Sequence, residues 1–219
     1  MATDTTRGEV CMFEDFLGDT FDTFLWTANA DGGGSANITE AAGGVFQLAS
    51  DGTDGDIENL FGAEIWIASN GGIVMESRVK MTTSIAQGVF IGMSDENDAD
   101  EVPIDLDGGT LTTTAADAVG FVYDSAEGGN WYAVGVKGGT DTAQTDCDVG
   151  PTLATYQTFV IHINPEGRAV FSIDGKQVAA MDSCVTASVA LCPAFAQLAN
   201  GTAGNVQVDY VKVLGGRPD

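Results

Sequence analysis

Two acidic stretches are the first residues in this chain with the composition of a metal site. Asp51, Asp54 and Asp56 alternate through one Gly-rich turn, and Asp95, Asp98 and Asp100 lie with Glu96, Asn97 and Glu101 in another. Hard cations take about six to eight oxygens, mostly carboxylates and carbonyls from loops. These six aspartates are therefore the candidate ligands of a structural Ca2+, and no other cofactor is expected. Neither stretch has the D-x-[DN]-x-[DN]-G register of an EF-hand loop, and acidic runs are usually solvated surface. A second set of residues could stack on a sugar ring: Trp26, Trp131 and Tyr132. Stacking needs an exposed aromatic on a loop or concave face. Trp66 is flanked by Ile65 and Ile67, and Trp131 and Tyr132 lie in strand-like sequence, so core packing is favoured for at least two of the tryptophans. The single histidine, His162, restricts imidazole chemistry. The four cysteines have no C-x-x-C spacing, which argues against a metal or redox motif. Cys184 and Cys192 could meet across a hairpin, although free thiols are the favoured state.

The elements that must hold these residues are strands. Short runs rich in Val, Ile, Phe and Tyr alternate with Gly, Asp, Asn and Thr clusters, and helical periodicity is almost absent. Strands are predicted near 44–49, 62–68, 72–82, 87–94, 118–124, 130–137, 156–164, 168–174, 176–181, 189–198 and 204–214. Near 13–25 a turn followed by extended chain competes with a helix that Gly18 would interrupt. Phe159, Ile161 and Ile163 alternate on one strand face, with Val160 and His162 on the other. Asp174-Gly175 predicts a type I′ hairpin after Ile173. The run Val206–Leu214 is apolar on both sides, which predicts a central strand. Residues 95–116 and 138–154 are predicted to be long loops, with little apolar content. The domain division is an arm over 1–12, one domain over 13–214 and a frayed tail over 215–219.

The 219 residues carry 32 acids against 8 bases, a formal net charge of −24. Nucleic acid is excluded as a partner because phosphate binding depends on Lys and Arg. An anionic membrane surface is disfavoured by the same electrostatics. No apolar stretch approaches the ~18 residues needed to span a bilayer.

Several motifs together resemble a known family. Phe13-Glu-Asp-Phe-Leu-Gly-Asp19 followed by Phe21 and Trp26, Ile73–Lys80, Gln87–Asp95, Val170-Phe-Ser-Ile-Asp-Gly-Lys176 and Val208–Val213 occur in the order found in concanavalin A-like lectin/glucanase jelly rolls. The resemblance implies an all-β, two-sheet antiparallel jelly-roll sandwich with little or no helix. It also implies that the opening segment pairs with the final strand. Ala118–Asp124, Asn130–Lys137 and Thr155–Thr158 look like the jelly-roll decoration (cement) proteins of tailed-phage capsids.

Catalysis by either enzyme class of this family requires residues that the chain does not have. Laminarinase-type members carry E-x-D-x-x-E, which sets two carboxylates about 5–5.5 Å apart. Here Asp54-Gly-Asp56-Ile-Glu58 has the wrong spacing. Lyase-type members need an Arg-rich strand, a Q-x-H strand and a Tyr-Lys strand. Arg78 and Lys80, with Tyr132 and Lys137, echo two of these, but His162 follows Val160-Ile161. For Arg78, Lys80 and Glu76 an ion-pair ladder is the expectation. The expectation is thus a non-enzymatic structural protein on the outer surface of a phage capsid. Its partners would be the major capsid protein and copies of itself, as a trimer if the family habit holds. The alternative is a lectin-like module for host or environmental glycans. The opening Met-Ala-Thr-Asp-Thr-Thr lacks the pattern of a signal peptide, which predicts synthesis in the host cytoplasm before assembly into the virion.

Overall fold

The computed structural model describes residues 9–39, 41–98, 101–142 and 144–217. They form nineteen strands: β1 (Glu9–Glu14), β2 (Trp26–Ala30), β3 (Ser35–Thr39), β4 (Val45–Ala49), β5 (Ile57–Gly62), β6 (Trp66–Ile67), β7 (Ile73–Met81), β8 (Gln87–Ser94), β9 (Ile104–Asp107), β10 (Thr110–Thr113), β11 (Ala118–Asp124), β12 (Tyr132–Lys137), β13 (Thr140–Asp141), β14 (Thr145–Asp146), β15 (Gln157–Ile163), β16 (Ala169–Ile173), β17 (Lys176–Met181), β18 (Ala190–Ala199) and β19 (Asn205–Gly216). One 3₁₀ turn, Ala68–Asn70, is the only helical segment among the described residues. The first sheet has the order β17-β16-β15-β7-β19-β4-β3, and the second β13-β12-β11-β8-β18-β5-β2, with every pairing antiparallel. The short strands β14 and β6 pair with β12 and β18.

Between the sheets lies a core built by alternation. On β15 Phe159, Ile161 and Ile163 point inward while His162 is exposed, as the period-two pattern requires. Phe121, Phe159 and Trp131 meet edge-to-face at 5.1 and 4.9 Å between centroids. The Asp174-Gly175 turn has positive φ at both residues, 51° and 77°, the signature of a type I′ hairpin.

β19 is central, between β7 on one side and β4 then β1 on the other. Its apolar character on both faces has a local cause. The register against β7 shifts between Val208 and Tyr210, leaving Asp209 as an extra residue. Such a bulge reverses the facing of everything beyond it. Val206 and Val208 are buried before it, Val211 and Val213 after it.

Three expectations change. The segment read as a strand over 62–68 is instead β5 at Ile57–Gly62 and the short β6. The predicted loop over 95–116 contains the β9–β10 hairpin, closed by Gly108-Gly109 with φ of 58° and 74°. Ile104 and Leu106 are buried there because their period-two spacing turns both toward the second sheet. Parts of the expected arm and tail lie in strands. Residues 9–12 belong to β1 and pair with β19, while Gly215 and Gly216 are the last residues of β19; residues 1–8 and 218–219 lie outside the described residues. The 13–25 segment is not helical. It turns at Phe16 (φ 51°), then turns again where the amides of Leu25 and Trp26 both donate to the Asp22 carbonyl.

Candidate interaction surface

The outer face of the second sheet has a floor of small residues. Gly92 of β8 and Gly120 of β11 are directly paired across the strands, and the Phe90 ring covers both, 2.9 Å from where either Cβ would stand. Ala118, Ala194 and Ala196 extend the floor, and the β9–β10 hairpin closes it with Val102, Ile104 and Leu106. The result is a second apolar layer outside the sandwich core. The hairpin is tied down at its base. The Asp95 amide donates to the Asp117 carbonyl at 2.9 Å, and the Asp117 amide donates to Asp95 Oδ1 at 2.8 Å. Asn59 of β5 donates to the Glu101 carbonyl at 3.2 Å.

The aromatic candidates are positioned by this arrangement. Trp26 and Trp131 are each only 2% exposed, so neither presents a face to a sugar. The expectation of stacking at these two positions is corrected, since inward alternation places both in the sandwich core. Trp131 Nε1 donates to Gln157 Oε1 at 3.1 Å. Trp26 packs against Phe16, centroids 5.9 Å apart. Tyr132 is half-buried at the rim of the outer layer, its hydroxyl donating to the Glu127 carbonyl at 3.2 Å.

The outer face of the first sheet gathers three of the eight basic residues: Arg78, Lys80 and Lys212. Arg78 and Lys80 both lie over the Tyr156 ring, at 4.1 and 4.3 Å from its centroid. The expected ladder with Glu76 does not form among these residues. Arg78 pairs with the bulged Asp209 at 2.6 Å, and Glu76 accepts the Tyr210 hydroxyl at 2.7 Å. Burial and the bond to Glu76 push the Tyr210 hydroxyl up to about 12, so Tyr210 is a hydrogen-bond donor at neutral pH.

The segment between β1 and β2 is the most exposed apolar stretch. Phe16 and Phe21 anchor it on Phe46, with centroids 5.4 and 5.5 Å away. Leu17, Phe24 and Leu25 then face solvent, Phe24 at 95% exposure. Three large apolar side chains of this anchored segment are thus left outside the core.

The acidic candidates divide. Asp51 and Asp56 approach each other beside Gly32, joined by Asp31 and by the buried Glu58, of which Asp31 lay far from the acidic turn in sequence. Asp54 is exposed and lines a separate hollow with Asp105, Asp107 and Asp124. Asp95 serves the hairpin base, Asp98 is exposed, and Asp100 lies outside the described residues. Of the two acidic turns, the first therefore brings Asp51 and Asp56 together without Asp54, and in the second Asp95 is used at the hairpin base. No three Asp, Glu, His or Cys side chains among the described residues already converge as a metal-binding group. All four cysteines are free. Cys184 lies in the sandwich core and Cys192 in the outer layer, so the two belong to different layers and do not pair.

No family model matches the sequence, and no curated protein matches it either. Solved structures do match. A Bacillus licheniformis beta-glucanase superposes with a TM-score of 0.64 at 13% identity, over 94% of this chain and 98% of that one. The carbohydrate recognition domain of Emp47p gives 0.63 at 8% identity, over 94% and 95%. A carbohydrate esterase of the Shiga toxin-encoding bacteriophage phi24B gives 0.53 at 16%, over 88% and 91%. At these identities the likeness establishes the fold, a concanavalin A-like two-sheet antiparallel sandwich. The fold is shared by proteins of different function and does not select among them.

Proposed function

We propose that the chain is a non-enzymatic structural protein that decorates and stabilises the outer surface of a phage capsid. The observation that carries this reading is the Leu17, Phe24 and Leu25 surface, an apolar contact site on a strongly acidic protein. Protein–protein contacts are built around buried apolar anchors of this kind. The reading is supported by the closed outer face of the second sheet, where the β9–β10 hairpin occupies the floor that an open groove would offer. The net charge of −24 supports an outward orientation, because packaged DNA would repel such a protein. Copies then meet the shell and one another through apolar contacts, not through charge.

The test uses purified particles. Electrophoresis and cryo-microscopy should find the chain on the outer shell, and Leu17→Asp with Phe24→Asp should release it from particles while the melting curve is retained. Absence from the particle, or undiminished attachment of the double variant, overturns the reading. Selective binding on a glycan array by a chain absent from particles would favour the lectin-like alternative.

A further inference from the structure

Among the described residues Glu58 is a buried acid without partners. It is 0% exposed, and neither carboxylate oxygen has a hydrogen-bond partner. A buried carboxylate without donors is costly and calls for a compensating group. Glu58 points inward from β5, between Gln197 of β18 and Ala30 of β2. Of these two register partners only Gln197 has side-chain donors. Its amide is committed elsewhere, donating to the Gly204 carbonyl at 2.7 Å and accepting from the Val206 amide at 3.2 Å.

On the Gly34 side Glu58 meets acceptors. The carbonyl oxygens of Ala49 and Asp31 each lie 3.0 Å from where a Cβ on Gly34 would stand, and Glu58 Oε1 lies nearer still. Only glycine fits at that position. Asp56 Oδ2 is also buried without a partner. It lies 2.5 Å from the corresponding point on Gly32, with Asp51 Oδ2 3.7 Å from the same point. Main-chain amides already orient the two outer carboxylates: Gly33 donates to Asp51 at 3.1 Å and Ile57 to Asp31 at 3.3 Å. Two sheet-to-sheet crossovers meet here, β2 to β3 and β4 to β5.

We propose that Glu58 and Asp56, with the carbonyls of Asp31 and Ala49, form the inner half of a Ca2+ site that Asp51 and Asp31 complete from the solvent side. The inner half joins two carboxylates to main-chain oxygens, and the outer pair must turn inward to close it. An oxygen-only set from flexible turns suits Ca2+, which accepts variable geometry, better than Mg2+, which demands a near-ideal octahedron. Bound Ca2+ would join both crossovers and so tie one end of the two sheets together.

The experiment uses the full chain, stripped with EDTA and dialysed, at pH 8. CaCl2 is titrated by calorimetry and by thermal unfolding. Wild type should bind one Ca2+ per chain and melt at a higher temperature. Glu58→Gln and Asp56→Asn should each bind at least ~10-fold more weakly, and Asp54→Asn should bind as wild type does. Glu58→Gln should also melt above wild type in EDTA, because the amide removes an uncompensated buried charge. That readout shows the variant folds. The proposal is overturned if wild type shows no Ca2+-dependent shift up to about 10 mM, or if Glu58→Gln binds as tightly as wild type. It does not depend on whether the chain is found on particles, so the two readings fail separately.

Discussion

Leu106→Ala tests whether the β9–β10 hairpin is part of the cooperative fold. Leu106 is fully buried in the outer layer with Ile104, Phe90 and Val122. The substitution removes three carbons, a transfer loss of about 2.4 kcal/mol at ~0.8 kcal/mol each. The unfilled space adds to this, but a two-stranded hairpin packed on one side can settle onto its floor, so the total stays near the lower end of core values, about 3 kcal/mol. For a chain of this size each kcal/mol lowers the melting temperature by roughly 2–4 °C, giving a fall of about 6–12 °C. Scanning calorimetry measures the fall, and hydrogen exchange of the β8 and β11 amides locates it. If the hairpin is integral, exchange accelerates across both strands together with the loss of global stability. The reasoning is refuted if the melting temperature stays within about 2 °C of wild type while fast exchange is confined to residues 102–115. The hairpin would then be a lid outside the cooperative unit, and the sheet face beneath it would be an accessible groove.

Further predictions address other parts of the fold. Deleting Asp209 should leave a cooperative melt, because it turns the bulged ladder of β19 on β7 into a regular one that still points Val211 and Val213 inward, while Arg78 loses its partner. Trp131→Phe should cost about 1–3 kcal/mol in denaturant unfolding by leaving Gln157 Oε1 buried without its donor. A thiol reagent at pH 8 should modify only Cys11 in the native protein and all four cysteines after denaturation. Cys11 is exposed, whereas burial pushes the Cys147 and Cys184 thiols up to about 12 and 11 and raises that of Cys192 further.

The parts of this fold that were legible in the sequence are those where one face is apolar throughout. β15 and β16 alternate cleanly, and β16 is joined to β17 by a turn whose residues determine its type. The register of β19 was not legible, because a single inserted residue reverses the facing and leaves only two-sided apolarity as its trace. β5 was hidden by Glu58 and Asn59, two buried polar residues in the middle of a strand. The hairpin signal was present in Ile104, Leu106 and Gly108-Gly109, but the surrounding acidic and Thr-rich residues gave the stretch a loop-like composition. Of the proposed cation site, Asp51 and Asp56 were legible as an acidic turn. Asp31 was not, because only the two crossovers bring it there, and Glu58, though part of the same acidic string, gave no sign that it turns inward as a strand residue. Burial also decided Trp26 and Trp131, whose residue types fit a core and a sugar platform equally well.

The pairing of β1 with β19 has a mechanical consequence. Glu9 lies opposite Gly216, and the ladder runs inward from there to Glu14 and Val211. Tension applied between these two residues loads the rungs one after another, as in opening a zipper, and does not shear them together. β1 would peel away first, at low force, while β7 still holds the other side of β19. Peeling bares the edge of β19 from Val211 to Gly216, a row of unpaired amides and carbonyls able to take a strand from a neighbouring chain. The sandwich thus has one detachable strand, and the force that frees it also opens a place for another.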